Sequence, residues 1–530
     1  MKPIRLISGF LTVGVWTLLS RIMGFVRDIM IAGYLGTGPV AQAFLIAFSL
    51  PNMFRRFFAE GAFNMAFVPM FSKKVESGDD PKAFAQDAFA FMAVALSVFS
   101  VVCILAMPWL VTAMASGFRG DERFDLAVLY GRIAFPYILL ISLAALLSGV
   151  LNATGRFVAA AAAPVLLNVV FVAALLISTM GGADAPADAA QSTGAEWTGA
   201  HLAWAVPVGG VVQLALVWWA ARRAGFGLRF GLPSWTPDLR KLFIIAGPAA
   251  LAGGVVQINL LVGRQVASYF DGAVAWLSYA DRLYQLPLGV VGIAIGVVLL
   301  PDLSRKLQAG DDVGGRDAFN RAAEFSLALT IPAAVALVVI PLPLVSVLFE
   351  RGAFDSDDTA ATALAVTVYG LGLPAFVMQK ALQPVFFARE DTRRPFGYAV
   401  VAMGVNAVLA IGLSVYIGYI AAAIATTVAG WVMVWQLWRG SRTMGTAARF
   451  DARFKYRFWR IVFAALLMGG LLMVAVLLVG PALGIAGVRY GALAFVVVVG
   501  IAGYFALGQL LGAFRLSEFK SSLRRSGGMS

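Results

Sequence analysis

Residues 8–34 read SGFLTVGVWTLLSRIMGFVRDIMIAGY, a run of 27 residues in which only Arg21, Arg27 and Asp28 are charged. A helix rising about 1.5 Å per residue crosses a bilayer with about 20 mostly apolar residues. The run is long enough to span. Lys2 and Arg5 ahead of it imitate a signal peptide, but the apolar stretch passes Arg21 and Arg27 without a small-residue cleavage site, so it reads as a retained first membrane helix. The arginines inside it are the anomaly, because a charge at a helix centre costs roughly 2.5–3.5 kcal/mol on insertion scales.

The whole chain has the same character. Of 530 residues, 60% are apolar and 13% charged, and the mean hydropathy is +0.85. A soluble domain carries about a quarter charged residues. So little charge cannot cover a water-facing surface, and most of the exterior must face lipid. The net charge of +13 is explained by basic cytoplasmic loops rather than nucleic-acid binding. Cys103 is the one cysteine and His201 the one histidine. An intrachain disulfide, a His-based metal site and a Ser-His triad are therefore not expected.

The length rule, applied along the chain, gives an all-α polytopic fold of fourteen transmembrane helices. The expected spans are roughly 8–34, 41–71, 86–113, 126–151, 157–180, 199–221, 241–269, 273–302, 322–348, 359–387, 396–416, 418–438, 458–479 and 488–513. With the N-terminus inside, the external segments hold only Arg119, Arg123, Arg351 and Arg489, and the other loop Lys and Arg residues fall in the cytoplasm. That asymmetry follows the positive-inside rule and places both termini in the cytoplasm. The loop Gly181–Ala200, with Asp184, Asp188 and Glu196 and no Lys or Arg, fits the outside.

Segments 232 to 238 residues apart resemble each other. Val68-Pro69-Met70-Phe71-Ser72-Lys73-Lys74 matches Leu300-Pro301-Asp302-Leu303-Ser304-Arg305-Lys306. Pro136, Thr154, Arg156 and Asn168 recur at the constant offset 238 as Pro374, Thr392, Arg394 and Asn406. Pro108 and Gly117 are spaced like Pro343 and Gly352. The expectation is two pseudo-symmetric six-helix halves, 1–221 and 222–440, flanking a cavity as alternating access requires. Residues 441–530 add spans 13 and 14 and a cytoplasmic tail.

Eight basic residues remain inside the spans: Arg21, Arg27, Arg55, Arg56, Arg132, Arg264, Arg282 and Lys380. The acids there are Asp28, Glu60 and Asp281, leaving a surplus of positive charge. Arg132 and Lys380 lie near helix ends and can snorkel. Arg56 and Glu60, four apart, can neutralise each other. Asp281 and Arg282 can pair locally or with other helices, and Arg264 is open to either a structural or a functional role. Arg21, Arg27 and Arg55 have no such excuse. Six residues is about 240° of rotation, so Arg21 and Arg27 share a cavity only if α-helical geometry bends, and Gly24 is the expected place. Clustered guanidinium groups suit a phosphate or diphosphate, through charge-assisted bidentate hydrogen bonds that lysine does not make.

Ser20-Arg21-Ile22-Met23-Gly24-Phe25-Val26-Arg27-Asp28 and the following Leu50-Pro51-Asn52-Met53-Phe54-Arg55-Arg56-Phe57-Phe58-Ala59-Glu60-Gly61-Ala62-Phe63 closely resemble the MurJ (MviN) family of lipid II flippases. So do Tyr279-Ala280-Asp281-Arg282-Leu283, Leu348-Phe349-Glu350-Arg351-Gly352-Ala353-Phe354 and Phe386-Phe387-Ala388-Arg389-Glu390-Asp391-Thr392. These matches run in order through the twelve-span core. The resemblance implies a fold of the multidrug/oligosaccharidyl-lipid/polysaccharide exporter type in the bacterial inner membrane. It implies lipid II as the substrate, moved from the inner to the outer leaflet for peptidoglycan synthesis. It carries a substrate-binding role onto Arg21, Arg27, Arg55 and Arg282, and a supporting or gating role onto Ser20, Asp28, Arg56, Glu60 and Asp281. Spans 13 and 14 would form a groove for the lipid tail.

Two positions depart from the pattern: Gln42 stands where several relatives carry Asp, and Arg264 has no counterpart in the family motif. No Walker motif is present. No cofactor is evident, so the expected energy source is the membrane potential or a monovalent ion. The expected working unit is a monomer, with membrane lipids and cell-wall synthesis proteins as further partners and no nucleic acid. An exporter of drugs or of another polyprenyl-linked sugar on the same fold is the nearest alternative. A cationic drug would need cavity carboxylates, and this cavity is basic. A diphosphate-lipid enzyme would need paired acids or histidine, and a structural scaffold would leave the arginines unexplained.

Overall fold

In lipid, a backbone can satisfy its own N–H and C=O groups only as a helix or a closed barrel. A computed structural model of the chain describes residues 3–55, 62–180, 190–294, 300–445 and 449–514. Among these residues the fold is all-α, with an isolated bridge between Arg351 and Phe354 as the sole extended pairing. The described chain falls into two compact units, residues 1–275 with 351–354, and residues 276–350 with 355–530.

The first unit opens with α1 (Pro3–Leu35), α2 (Pro39–Arg55), α3 (Ala62–Ser77), α4 (Pro81–Leu105) and α5 (Met107–Met114). A single 3-10 turn, Ser116–Phe118, leads to α6 (Glu122–Ala134), α7 (Tyr137–Ala153), α8 (Val158–Met180), α9 (Ala190–Arg223) and α10 (Pro237–Ala267). The unit boundary cuts α11 (Ala273–Ala294) near its start. The second unit continues with α12 (Leu300–Gln308), α13 (Asp312–Val339), α14 (Pro341–Phe349), α15 (Ser356–Phe387), α16 (Arg393–Ile417) and α17 (Ile420–Ser441). The last two helices are α18 (Ala452–Leu483) and α19 (Arg489–Leu510).

Ten helical stretches among the described residues are long and apolar enough to cross a membrane, and each overlies an expected span. The other four expected spans fall on α1, on α2 with α3, on α10 and on α11, which carry most of the intramembrane charges. Two expected spans are broken by proline. Residues 86–113 divide at Ala106 into α4 and α5, with Pro108 in the first turn of α5. Residues 322–348 divide at Ile340 into α13 and α14, with Pro341 in the first turn of α14. Proline lacks the N–H that would continue the ladder and fits a first turn. The break recurs at corresponding points of the sequence repeat.

Lipid is as apolar as leucine, so helices here associate by close packing and polar contacts rather than by burial from water. Small residues provide that closeness. A methyl at Gly210 on α9 would lie 2.8 Å from the Tyr137 ring of α7. α10, the seventh span in order, belongs to the first unit because it is fastened there at both ends. At its N-terminal end, Lys74 pairs with Asp79 at 2.7 Å and with Asp238 at 2.9 Å. At its C-terminal end, Ser116 N donates to Gln265 Oε1 and Gly117 N to Ser268 Oγ, both at 3.0 Å. Residues 351–354 join the first unit through Ala353 N, which donates to Gly33 O at 2.9 Å.

In the second unit, charge fastens α18 to α13. The buried Glu324 accepts from Arg321 and from Arg457 (2.6 Å), with Arg453 Nε at 3.6 Å. Asp451 pairs with Arg321 and caps α18 by accepting from Phe454 N at 2.6 Å.

Two consequences can be measured. Gly36 has φ +58° and a Cβ there would lie 2.2 Å from Ala353 O. Gly36→Ala is expected to destabilise the purified protein by more than the roughly 1 kcal/mol of an ordinary glycine change, read as a fall in Tm. The hydrogen bonds and ion pairs from Asp79 and Asp238 raise the Lys74 pKa above its ordinary value. A raised pKa keeps the fastening intact below the ordinary lysine range and loses it only as pH rises through the raised value. Lys74→Met should therefore lower Tm by an amount constant between about pH 6 and pH 9.

Candidate functional site

Helical side chains point back toward the N-terminus of their helix. Arg27 on α1 accordingly reaches back along the face that packs on α8. There it is 7% exposed. Its Nε and Nη2 donate to Asp28 Oδ1 at 3.0 and 2.8 Å, and its Nη1 donates to Asn168 Oδ1 of α8 at 3.0 Å. The guanidinium also lies 5.7 Å from the ring centre of Phe48 on α2 and 5.1 Å from that of Phe171 on α8. Phe48 and Phe171 meet edge to face at 5.3 Å. Ion pair, amide and aromatic faces together answer a charge that would be costly to bury alone.

Asn168 does more than accept from Arg27. Its Nδ2 donates to Ser20 O at 3.1 Å and to Pro164 O at 3.3 Å. A Cβ at Gly24 would sit 3.6 Å from this amide, an ordinary contact. The structure therefore brings Ser20, Arg27 and Asp28 together around a residue of α8.

Arg21 is elsewhere on α1. Its side chain is exposed and makes no hydrogen bond or ion pair with the described residues. The exposed Arg21 and buried Arg27 have the different surroundings that six residues of helical rotation give. Arg55, the last residue of α2, is half-buried, as is Arg264 near the C-terminal end of α10. Arg56 and Glu60 lie outside the described residues. Asp281 and Arg282 lie on α11 in the second unit, both half-buried, and Asp281 accepts from Gln285 one turn on. Tyr284, two residues past Arg282, stacks near Tyr369 (5.0 Å) and Phe376 (5.6 Å) of α15. Arg132 and Lys380 are exposed, as snorkelling residues would be.

Gln42 is buried near the N-terminus of α2, where its Oε1 accepts from Arg123 Nη1 at 3.5 Å. Arg123 is held besides by Asp121 (2.6 Å) and Asp271 (2.9 Å), over the Phe118 ring. Sequence reasoning treated Arg123 as a loop charge. The structure makes it a buried node joining α6 to the turn after α10. Asn168 was also missed as a site residue, although its recurrence as Asn406 was the available signal; both are buried. Among the described residues, no cluster of His, Cys, Asp or Glu could hold a metal ion.

Comparison with known proteins places these residues in a wider setting. The family model described as "Lipid II flippase MurJ" matches residues 31–497. A probable lipid II flippase MurJ of Rhizobium tropici is 42% identical over 98% of this chain and 97% of its own. A lipid II flippase MurJ of Burkholderia cenocepacia is 35% identical over 88% of this chain and 90% of its own. Among solved structures, a lipid II flippase MurJ in an inward-closed conformation superposes with a TM-score of 0.77 at 23% identity, covering 94% of this chain and 98% of that one. An inward-facing multidrug transporter of the MATE family matches with a TM-score of 0.64 at 15% identity, over 83% and 98%.

The contrast between the two arginines of α1 is measurable. Asp28→Ala strips Arg27 of its carboxylate and is expected to cost about 3–5 kcal/mol, as breaking a buried pair does. Arg21→Ala removes an exposed side chain and should change stability by no more than about 0.5 kcal/mol. Thermal unfolding of the detergent-solubilised protein separates them.

Proposed function

Since this chain belongs to the lipid II flippase MurJ family, a family of membrane transporters and not enzymes, we propose that it carries lipid II from the inner to the outer leaflet by alternating access, with arginines gripping the lipid's diphosphate. The observation that carries the arginine role is Arg21. It sits near the middle of a 33-residue helix, exposed and with no bonded partner among the described residues. A guanidinium in such a place is stable where water or an anion meets it.

Arg27 brings a second guanidinium on the same helix, with three of its five N–H groups engaged by Asp28 and Asn168. One N–H on each Nη is left for an oxygen of the ligand. Arg55 and, through the family motif, Arg282 complete the proposed set. Ser20, Asp28, Arg56, Glu60, Asp281 and Arg264 stand in supporting or gating roles. The diphosphate exchanges its water for charge-assisted hydrogen bonds, which offsets the desolvation of both partners. The polyprenyl tail stays in lipid, with the groove of spans 13 and 14 proposed to hold it.

The chain is a multi-pass membrane protein. We place it in the bacterial inner membrane with both termini in the cytoplasm, acting as a monomer. An inside-negative potential favours outward movement of negative charge by about 2.3 kcal/mol per charge per 100 mV, and the same field helps return the empty cationic site. Membrane potential, or a monovalent ion moving with it, would therefore drive export without a bound cofactor.

The test is depletion of the native protein followed by rescue. Arg21→Ala, expected to change stability little, should slow outward lipid II movement at least about tenfold, the worth of one charge-assisted contact. Arg21→Lys should rescue poorly if paired N–H donors do the gripping. Full movement by stably expressed Arg21→Ala and Arg27→Ala variants would sink the diphosphate site.

A further inference from the structure

We propose that Asn168 is a positioning residue for the anion grip, holding the Arg27 guanidinium in one fixed orientation from the neighbouring helix. The inference rests on the diphosphate reading above and adds a residue outside the arginine set.

The amide of Asn168 has no freedom to turn over. Its oxygen faces the Nη1 donor of Arg27, and its nitrogen faces the carbonyl oxygens of Ser20 and Pro164. A flipped amide would set donor against donor at Arg27 and acceptor against acceptor at both carbonyls. The orientation is thus fixed by three hydrogen bonds, in a side chain that is 6% exposed.

Arg27 needs that outside hold. Asp28 Oδ1 takes both Nε and Nη2, which fixes one edge of the guanidinium from the adjacent position on the same helix. The two aromatic faces of Phe48 and Phe171 attract the cation without fixing its rotation. Asn168 alone among these contacts fixes Nη1, and it does so from α8, so the direction of the remaining N–H groups depends on it. Because the same amide is tied to Ser20 O, two turns earlier in α1, it also sets how α1 lies along α8 at this level. A grip that is already oriented loses less entropy when an anion arrives.

The experiment titrates undecaprenyl diphosphate onto the full chain in lipid nanodiscs and compares wild type, Asn168→Leu, Arg27→Ala, Arg21→Ala and the two double variants containing Asn168→Leu. Leucine keeps the volume and removes the hydrogen bonds; Asn168→Ala serves as a second variant should the leucine form fail to fold. Asn168→Leu is expected to weaken binding about 10- to 100-fold, the worth of a hydrogen bond to a charged group. In the Arg21→Ala background the same loss should appear in full. In the Arg27→Ala background it should vanish, because the group that Asn168 orients is gone.

An equal loss in the Arg27→Ala background would make Asn168 merely structural and overturn the inference. So would unchanged binding by Asn168→Leu when Arg27→Ala binds weakly; the diphosphate reading would then stand alone. Wild-type binding by Arg27→Ala would remove the reading itself and this inference with it.

Discussion

A charged group in a low-dielectric region has to be answered by a partner, by water or by an anion. Arg27 is answered within the protein, and that single requirement organises three helices of the first unit. α1 supplies the cation and Asp28, α8 supplies Asn168 and Phe171, and α2 supplies Phe48. Sliding α8 by one residue along α1 would break the amide at both ends. The register of α1 on α8 is therefore set by electrostatics, with the apolar side chains around it filling space. Arg21, six residues away and exposed, is left for a different answer.

The same logic fastens helix ends while leaving helix middles apolar. Arg123 gathers Gln42, Asp121 and Asp271 at the start of α6. Lys74 gathers Asp79 and Asp238 at the start of α10. Glu324 gathers Arg321, Arg453 and Arg457 where α18 begins. Between lipid-facing helices, burial of apolar surface distinguishes little, because the alternative is equally apolar. Polar nodes at the ends and glycine contacts in the middle are what discriminate one packing from another. Gly117 belongs to the first kind, its N–H bonding Ser268 at the end of α10, and Gly210 within α9 to the second, a Cβ there lying 2.8 Å from the Tyr137 ring.

The helical spans were legible because their signal is local: each is a run of apolar residues, and ten described stretches are long and apolar enough to cross a membrane. The proline breaks at Ala106 and Ile340 were legible only in part. Pro108 and Pro343 were visible as repeat markers, but a span of about 27 residues does not announce that it is two helices. The node at Arg27 was least legible. Asn168 lies 141 positions away in the sequence, and no periodicity connects a residue to a partner on another helix. Its recurrence as Asn406 marked it as constrained without saying by what. Arg123 misled for the converse reason, since a charge beside Asp121 and Glu122 looks like solvated loop until the fold buries it. Gly352 carries a φ of +58°, which accounts for a glycine within the signature Glu350-Arg351-Gly352-Ala353, whereas Gly24, expected as a bend, has the amide of Asn168 as its near neighbour.

Why arginine, and why two on one helix, follows from donor arithmetic. A lysine at position 27 would offer three donors around one point, and bonding Asp28 and Asn168 would leave one. Arginine offers five in a plane, so the bonds that hold it still leave donors over. One residue can then hold the α1–α8 contact and still carry unused donors. Arg21, exposed, carries no such structural duty among the described residues. The sequence Arg21-Ile22-Met23-Gly24-Phe25-Val26-Arg27 puts the two about 120° apart around one helix, so that packing against α8 buries Arg27 and leaves Arg21 exposed.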